Sequence, residues 1–198
     1  MIEQILNDTN VKAIIFDCDG TLVDSMPLHM KAWEEAFKIL NQKFEKDFLY
    51  SAKGMKETEI IDLYNQKYGT SINPDKIVSL KHKYFYDHIE SVKPIEQVVE
   101  IAKTFYSKTP LGVVSGSVEK IVHKELKVIG IFHLFQNILT ADDPFKPKPA
   151  PDIFLASANN LKVEPENCLV FEDGDAGLKA AENAGMKSID IREYLEIN

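Results

Sequence analysis

The sequence predicts an α/β fold in which a doubly wound parallel sheet carries an inserted helical unit. Short, almost uninterrupted apolar runs alternate with segments of helical period over most of the chain. Such runs are typical of strands covered on both faces, and their alternation with helices predicts right-handed crossovers. Residues 25–92 break this rhythm, because they show helical stripes and no convincing strand. They therefore predict a second, smaller unit built from helices.

Five apolar runs are the predicted strands. The fifth run alternates apolar with polar residues, which predicts a place near an edge of the sheet. Three stripes of apolar residues at helical spacing predict helices between the strands. The predicted strands are residues 13–16, 111–114, 138–139, 168–171 and 186–191, and the stripes span residues 95–105, 118–129 and 153–161.

The inserted stretch has three helical stripes of its own, at residues 28–40, 60–68 and 77–88. Pro27 suits the first turn of a helix, and Asn73 followed by Pro74 suits a helix start. Two short joins should act as hinges between the insertion and the rest. We therefore expect a core domain of residues 1–24 and 93–198 and a helical cap domain of residues 25–92.

Composition limits the possible partners and compartment. The chain has 198 residues with 23 basic and 31 acidic side chains, a net charge of −8. Such a chain is repelled by nucleic-acid phosphates and anionic membrane surfaces, so neither partner is expected. The two cysteines, Cys18 and Cys168, form no disulfide framework and fit a reducing compartment. No apolar run approaches membrane-spanning length, and the first ten residues lack a secretory pattern, so we expect a cytoplasmic protein.

Polar residues follow three of the predicted strands. The first is followed by Asp-Cys-Asp-Gly-Thr at 17–21, the second by Ser-Gly-Ser at 115–117, and the fourth by Glu-Asp-Gly-Asp at 172–175. Ligands of open α/β sheets bind outside the carboxyl ends of the strands, so these groups should share one crevice. Lys148, which follows the third strand, could join them. Taken alone, each piece has an ordinary explanation as a turn, a helix cap or a solvated lysine.

Together these residues indicate phosphoryl transfer. Two carboxylates about 4 Å apart repel by about 4 kcal/mol at an effective dielectric constant of about 20, so the acids need a cation or protons. Hard carboxylate oxygens without a His or Cys pair favour Mg²⁺. A hydroxyl and an ammonium group suit phosphate oxygens, glycines let the backbone approach a ligand, and a carboxylate can accept the phosphoryl group. The acids are Asp17, Asp19, Glu172 and Asp173, and the other groups are Ser115, Lys148, Gly20 and Gly116.

Four motifs in order resemble the haloacid dehalogenase superfamily, in the branch of β-phosphoglucomutase and small sugar-phosphate phosphatases. The resemblance covers nearly the whole chain after Asn10, and within the branch the chain resembles small bacterial fructose-1-phosphate or 6-phosphogluconate phosphatases. The motifs are residues 16–24 (FDCDGTLVD), 114–117 (VSGS), 148–154 (KPAPDIF) and 171–181 (FEDGDAGLKAA).

The resemblance implies a role for each matching position. Asp17 would be the nucleophile and a metal ligand, and Asp19 the general acid and base, with its backbone carbonyl also on the metal. Ser115 and Lys148 would hold the transferring phosphoryl group. Asp173 would ligate Mg²⁺, and Glu172 would either ligate it or orient its water. The insertion would be an all-α cap that closes over the substrate above a Rossmann-like core, which makes a monomer the default expectation.

Further residues are candidates for contact with the substrate. Thr21 fits the usual phosphatase form of the first motif, and Gly20, Gly116 and Ser117 flank the predicted crevice. His29 lies where the branch often has a cap histidine near the substrate, although an ordinary helix residue is an equal alternative. Lys53 and Gly54 belong to a cap loop that should face the crevice.

Two departures from the mutase favour a phosphatase. The mutase carries an arginine for its second phosphate where this chain has Glu57, and a Ser-Lys-Asn run where this chain has Ser-Val-Glu at 117–119. An acid at each place should repel a second phosphate. Lys53 and Lys56 nevertheless leave β-phosphoglucomutase open. A non-enzymatic phospho-acceptor switch of the receiver type is a third possibility, against which stand the length, the insertion and Asp19.

Overall fold

The computed structural model of the chain describes residues 10–52 and 55–194. Within these residues there are seven strands. They are β1 (Ala13–Phe16), β2 (Val23–Asp24), β3 (Lys93–Pro94), β4 (Leu111–Val114), β5 (Asn137–Leu139), β6 (Cys168–Glu172) and β7 (Lys187–Asp190).

Five of these strands form the main sheet, in the order β5-β4-β1-β6-β7, and all of its pairings are parallel. In the centre, Ile15 of β1 lies opposite Gly112 of β4 and Val170 of β6. The α/β prediction with a parallel sheet is confirmed, as is the edge position of the last strand. Because neighbouring strands of this sheet are parallel, the chain must cross from the end of one to the start of the next, and helices make these crossovers.

The described residues contain eight α-helices. Four lie between β2 and β3 and four flank the main sheet. They are α1 (Met26–Ile39), α2 (Lys46–Ser51), α3 (Glu57–Tyr68), α4 (Pro74–His88), α5 (Glu96–Phe105), α6 (Glu119–Val128), α7 (Asp152–Leu161) and α8 (Asp175–Asn183). None of the helices in residues 10–52 and 55–194 has the length and apolar character that a bilayer crossing requires.

The alternation of side chains along β1 explains why its run is wholly apolar. Ile14 and Phe16 pack on one face of the sheet, against α5 and α6. Ala13 and Ile15 pack on the other face, against α7 and α8. Successive strand residues point to opposite faces, so a strand covered on both sides has no polar position.

The helical insertion has its own core and a paired base. Trp33, Phe37 and Tyr64 are buried together at its centre. Phe85 and Ile89 instead pack into the apolar layer beneath the sheet, so the insertion rests on the core. At its base, β2 and β3 pair antiparallel, so the two ends of the insertion, at residues 24 and 93, lie side by side. The helical insertion itself is confirmed, and the exact domain limits stay a prediction.

Candidate active site

The site lies at the carboxyl ends of β1, β4 and β6. Asp17 directly follows β1 and its backbone N–H donates to the carbonyl of Phe171 in β6, at 2.9 Å. Ser115 directly follows β4, and Glu172 is the last residue of β6. Because the strands are parallel, their carboxyl ends meet at one edge, and the chain's distant polar segments come together there.

Lys148 connects the first and last of these segments. Its Nζ lies 2.6 Å from Oδ1 of Asp17, 2.8 Å from Oε2 of Glu172 and 3.4 Å from the carbonyl oxygen of Val114. All three charged side chains are more than nine-tenths buried. A buried ammonium shared by two carboxylates holds both acids in fixed positions.

Two acids next to Asp17 are held in place where their carboxylates lie close to the backbone. Oε1 of Glu172 accepts the backbone N–H of Gly174 at 2.9 Å, and a Cβ on Gly177 would lie 1.9 Å from its Oε2. Oδ1 of Asp173 accepts from the hydroxyl of Thr21 at 3.3 Å. Gly20 has φ +83°, and a Cβ there would lie 2.6 Å from Oδ2 of Asp173. Glycine is therefore required at both contacts.

The three acids form a group that could hold a metal ion. One carboxylate oxygen from each of Asp17, Glu172 and Asp173 lies within 4.8 Å of the others. Burial and the neighbouring Glu172 raise the pKa of Asp17 well above its usual value, although Lys148 opposes this. Three carboxylates against one ammonium leave two negative charges in excess. A divalent cation that prefers oxygen ligands fits this donor set and would balance it.

The pKa of Lys148 is raised as well, but for a different reason from that of Asp17. Burial alone would lower the pKa of its ammonium group, but the charges of Asp17 and Glu172 raise it above its ordinary value. Lys148 therefore stays charged at neutral pH and remains available to an anion near Asp17.

Asp19 sits in a different environment, surrounded by hydrogen-bond donors. Its Oδ1 accepts from the hydroxyl of Ser25 at 2.6 Å and faces Nε2 of His29 at 2.8 Å. Its Oδ2 accepts from the hydroxyls of Ser117 at 2.6 Å and Ser115 at 3.3 Å. Burial would raise the pKa of Asp19, but His29 and the hydroxyls of Ser117 and Ser25 lower it well below its usual value.

His29 faces Asp19 from the first helix of the insertion. The imidazole stacks on Phe85, with ring centroids 4.2 Å apart, and is only 8% exposed. Burial and the nearby charge of Lys81 lower its pKa. The insertion thus supplies a direct contact to a carboxylate of the core, and His29 also lines the cavity above Asp17.

The cavity in front of these groups has a volume of about 120 Å³ and has walls from both the core and the insertion. Gly116 and Ser117 line it beside Asp17 and Asp19. Ser115 is buried behind them, where its Oγ accepts the backbone N–H of Ser117 at 3.0 Å. Lys53 and Gly54, predicted to contact the substrate, lie outside the described residues.

Three residues near Asp19 or its partner His29 were not anticipated from the sequence. Ser25 lies two residues before Pro27 and was hidden by its role in starting a helix. Lys81 and Glu125 are buried, 1% and 0% exposed. The signal for both was a charged residue on the apolar stripe of an amphipathic helix. Burial, with the nearby charge of Asp19, raises the pKa of Glu125 well above its usual value.

The contacts of Glu57 weaken the sequence-based argument that this acid repels a second phosphate. Its two carboxylate oxygens contact Nζ of Lys81 at 2.6 Å and Nε2 of His82 at 2.5 Å. Burial would raise the pKa of Glu57, but the charge of Lys81 and the contact with His82 lower it. Its negative charge is therefore largely compensated, and Glu57 repels a second phosphate less than a free carboxylate would.

Comparison with known proteins agrees with this architecture. A family model described as haloacid dehalogenase-like hydrolase matches residues 14–191. Fructose-1-phosphate phosphatase YqaB of Escherichia coli is 32% identical over 180 residues, which are 90% of this chain and 95% of that protein. Beta-phosphoglucomutase of Bacillus subtilis is 27% identical over 191 residues, 91% of this chain and 83% of that protein. A crystal structure of beta-phosphoglucomutase from Clostridium difficile has a TM-score of 0.74 and 30% identity, covering 90% of this chain and 83% of that chain.

The fold and the site together define the class: a hydrolase with a parallel α/β core, a helical insertion and acids at the strand ends. The chain belongs to the haloacid dehalogenase-like hydrolase family, in the β-phosphoglucomutase-like branch, and is a hydrolase of the phosphatase type.

Proposed function

We propose that this protein is a Mg²⁺-dependent phosphatase that hydrolyses small sugar-phosphate monoesters through an aspartyl phosphate on Asp17. The observation that carries the proposal is the buried contact of Lys148 with Asp17, beside the separate carboxylate Asp19. Its relatives include a fructose-1-phosphate phosphatase. We therefore propose a substrate of the fructose-1-phosphate or 6-phosphogluconate type.

The acids next to Asp17 would hold the metal. Carboxylate oxygens of Asp17 and Asp173 and the backbone carbonyl of Asp19 are the proposed ligands, with Glu172 either a fourth ligand or a group that orients water. When bound, Mg²⁺ offsets the negative charge of the phosphoryl oxygens. The same cation would stabilise the ionised form of Asp17, which is the form that can act as a nucleophile.

In the first half-reaction a carboxylate oxygen of Asp17 attacks phosphorus. The bond between phosphorus and the sugar oxygen breaks, and that oxygen takes a proton from Asp19 and leaves as an alcohol. Lys148 and Ser115 bind the phosphoryl oxygens during transfer, and Gly116 and Ser117 line the cavity where these oxygens sit. Gly20 and Thr21 would act on the same place through their contacts with Asp173. These contacts hold the phosphorus in line with Asp17.

In the second half-reaction water attacks the phosphorus of the aspartyl phosphate. Asp19 accepts a proton from that water, the bond between phosphorus and Asp17 breaks, and inorganic phosphate leaves. The four donors around Asp19 favour its ionised form, which suits this step. The proton that Asp19 accepts in this step is the one that it donates to the leaving oxygen in the next turnover, so the cycle closes without another proton source.

The helical insertion is the proposed cap. It brings His29 to Asp19 and forms one wall of the cavity, so closure over a substrate would exclude water. We propose that Lys53, next to Gly54, contacts the sugar from the same side. Action on a small molecule by a cytoplasmic monomer, without nucleic-acid or membrane partners, stays a prediction.

The test is phosphate release from p-nitrophenyl phosphate and a panel of sugar phosphates, with and without Mg²⁺. We expect activity only with the metal, and inhibition by Ca²⁺, which is larger and accepts looser geometry. Full activity in a chelator would refute the metal requirement. A stable phosphorylated protein without turnover would instead favour a receiver-like switch.

β-Phosphoglucomutase is the second candidate, because the pairing of Glu57 with Lys81 weakens the argument against a second phosphate. To move the phosphoryl group from one position of a sugar to another, a mutase must bind a bisphosphate intermediate at both ends. Product analysis with β-glucose 1-phosphate separates the two: free phosphate identifies a hydrolase, and glucose 6-phosphate identifies a mutase.

A further inference from the structure

The two walls of the cavity above Asp17 differ in chemical character. The core wall carries the acids, Lys148 and the glycines described above, whereas the wall from the insertion is mostly apolar. Because the phosphoryl group of an ester bound at Asp17 occupies the core wall, its leaving group contacts the apolar one. The apolar side chains of that wall are Met26, Met30, Trp33, Leu49, Met55 and Ile60.

Two polar side chains interrupt this apolar wall within the described part of the insertion. His29 faces Asp19 at 2.8 Å, so it is committed to the catalytic carboxylate of the core. Glu57, at the start of α3, has both of its side-chain partners, Lys81 and His82, within the insertion, and its side chain is 26% exposed. It also lines a neighbouring cavity of about 350 Å³, large enough for the rest of a substrate. Glu57 is therefore placed to recognise the leaving group.

The carboxylate of Glu57 is held in a fixed position. Its Oε1 accepts from Nζ of Lys81 at 2.6 Å, and its Oε2 lies 2.5 Å from Nε2 of His82. Lys81 is itself buried, with Nζ 5.2 Å from the ring centroid of Phe85 and 5.8 Å from that of Trp33. A group fixed in this way loses little freedom when a ligand binds, so its contact with the ligand costs little entropy.

The same carboxylate keeps capacity for a further hydrogen bond. A carboxylate has about four acceptor sites on its two oxygens, and the contacts with Lys81 and His82 use one on each oxygen. An ionised carboxylate only accepts, so it recognises a hydrogen-bond donor and offers nothing to a carbonyl or a phosphate oxygen. An ammonium group gains little there, because the charge of Lys81 opposes it. A hydroxyl group is the donor that fits.

We propose that Glu57 determines specificity by accepting a hydrogen bond from a hydroxyl of the leaving group, whose CH groups pack on the apolar wall. An alkyl ester of the same length would leave this carboxylate without its ligand partner, so the site prefers an ester of a polyol. The inference rests on the proposed phosphatase activity and assigns the recognition of its leaving group to one residue.

The test compares glucitol 6-phosphate with hexyl phosphate, which has the same six-carbon chain without hydroxyl groups. With Mg²⁺, we expect kcat/KM of the wild type for glucitol 6-phosphate to exceed that for hexyl phosphate by at least about tenfold. Glu57→Gln should lower kcat/KM for glucitol 6-phosphate about tenfold more than for hexyl phosphate, because a hydrogen bond to a neutral amide is weaker than one to a carboxylate.

Two further variants assign this loss to the contact with the substrate. Glu59→Gln is the matched control, because Glu59 is an exposed acid of α3 that lines neither cavity, and it should change neither substrate. Glu57→Gln leaves the buried ammonium group of Lys81 without its ion pair, which destabilises a protein. Glu57→Gln/Lys81→Met removes both charges and should show the same selective loss while p-nitrophenyl phosphate is still hydrolysed.

The remaining outcomes each contradict one statement. Equal kcat/KM of the wild type for the two substrates, or an equal loss for both in the Glu57 variants, overturns the hydroxyl contact, while hydrolysis of p-nitrophenyl phosphate keeps the phosphatase proposal. A preference for 6-aminohexyl phosphate over both substrates that disappears in Glu57→Gln overturns the choice of a hydroxyl. Failure of the wild type to hydrolyse any ester, including p-nitrophenyl phosphate, refutes the proposed function itself.

Discussion

Asp17 and Asp19 are two residues apart in the chain, yet their surroundings are opposite in kind. Asp17 is buried against two further carboxylates, and its principal partner is the ammonium group of Lys148. Asp19 is buried among hydroxyl groups and an imidazole that contact its carboxylate oxygens. The pKa is consequently raised at Asp17 and lowered at Asp19.

The comparison shows how one short loop can carry two acids with separate tasks. A carboxyl group crowded by other carboxylates ionises readily only when a cation is present, which ties the nucleophile to the metal. A carboxylate held by hydroxyl groups and an imidazole is ionised without a metal, so it can serve as a base. Divergent pKa values in neighbouring carboxylates are a known pattern for assigning such roles.

Asp17→Asn should have the largest effect, because the amide cannot form the acyl phosphate. We expect turnover of every substrate to fall by at least about a thousandfold, and no burst of product in the first seconds with p-nitrophenyl phosphate. Stopped-flow absorbance measures both quantities. A variant that turned over at the wild-type rate would show that no covalent step occurs on Asp17.

Asp19→Asn should separate the two half-reactions. Loss of a general acid and base usually costs about a hundredfold to ten-thousandfold in steady-state turnover. p-Nitrophenolate leaves without a proton, so the first step should survive and the second should stall. We expect a burst of about one equivalent of p-nitrophenolate per enzyme followed by slow turnover. The same slow rate without a burst would place Asp19 only in the first step.

Much of this comparison was accessible from the sequence. The apolar run ending at Phe16 places Asp17 at a strand end, and the parallel-sheet rule brings Ser115 and Glu172 to the same edge. The local order of residues and one general rule were sufficient there. The same rule made Lys148, which follows the third predicted strand, a candidate, and the resemblance of the motifs to a family gave it a role. Lys148 lies 131 residues from its partner Asp17.

The surroundings of Asp19 were less accessible, for a physical reason. Two of its partners, Ser25 and His29, come from the start of the insertion, and their contact depends on how α1 packs over the core. Glu57 was interpreted as a free charge because its partners are 24 and 25 residues away on another helix. Tertiary packing decides which charges are compensated, and local sequence does not carry that information.

Gly177→Ala should disturb the surroundings of Asp17 and spare those of Asp19. The new Cβ would overlap the carboxylate of Glu172, and such overpacking costs about 1–3 kcal/mol of unfolding free energy. Urea unfolding measures this cost. Gly116→Ala is the control, since a Cβ there meets no atom within 4 Å. An unchanged unfolding free energy in Gly177→Ala would show that Glu172 can move away freely.

Ser117→Ala should cost about as much unfolding free energy as Gly177→Ala, and it tests whether the hydroxyl groups around Asp19 act on its charge. Because the folded pKa of Asp19 is lowered, its hydrogen bonds stabilise the protein above the unfolded pKa of about 3.9, and this stabilisation is lost as the pH falls through the folded pKa. Removing the 2.6 Å bond from Ser117 should cost about 1.5–3 kcal/mol of unfolding free energy at pH 7. The cost should stay constant from pH 7 to about pH 4, because the folded pKa of Asp19 lies well below that range. Urea unfolding in chelator measures the cost. Ser91→Ala, which removes a hydroxyl bonded to the carbonyl of His88, is the control and should cost less, because neither of its two groups is charged. A cost at Ser117 that shrank between pH 7 and about pH 4 would mean that Asp19 titrates in that range and that its folded pKa is not lowered.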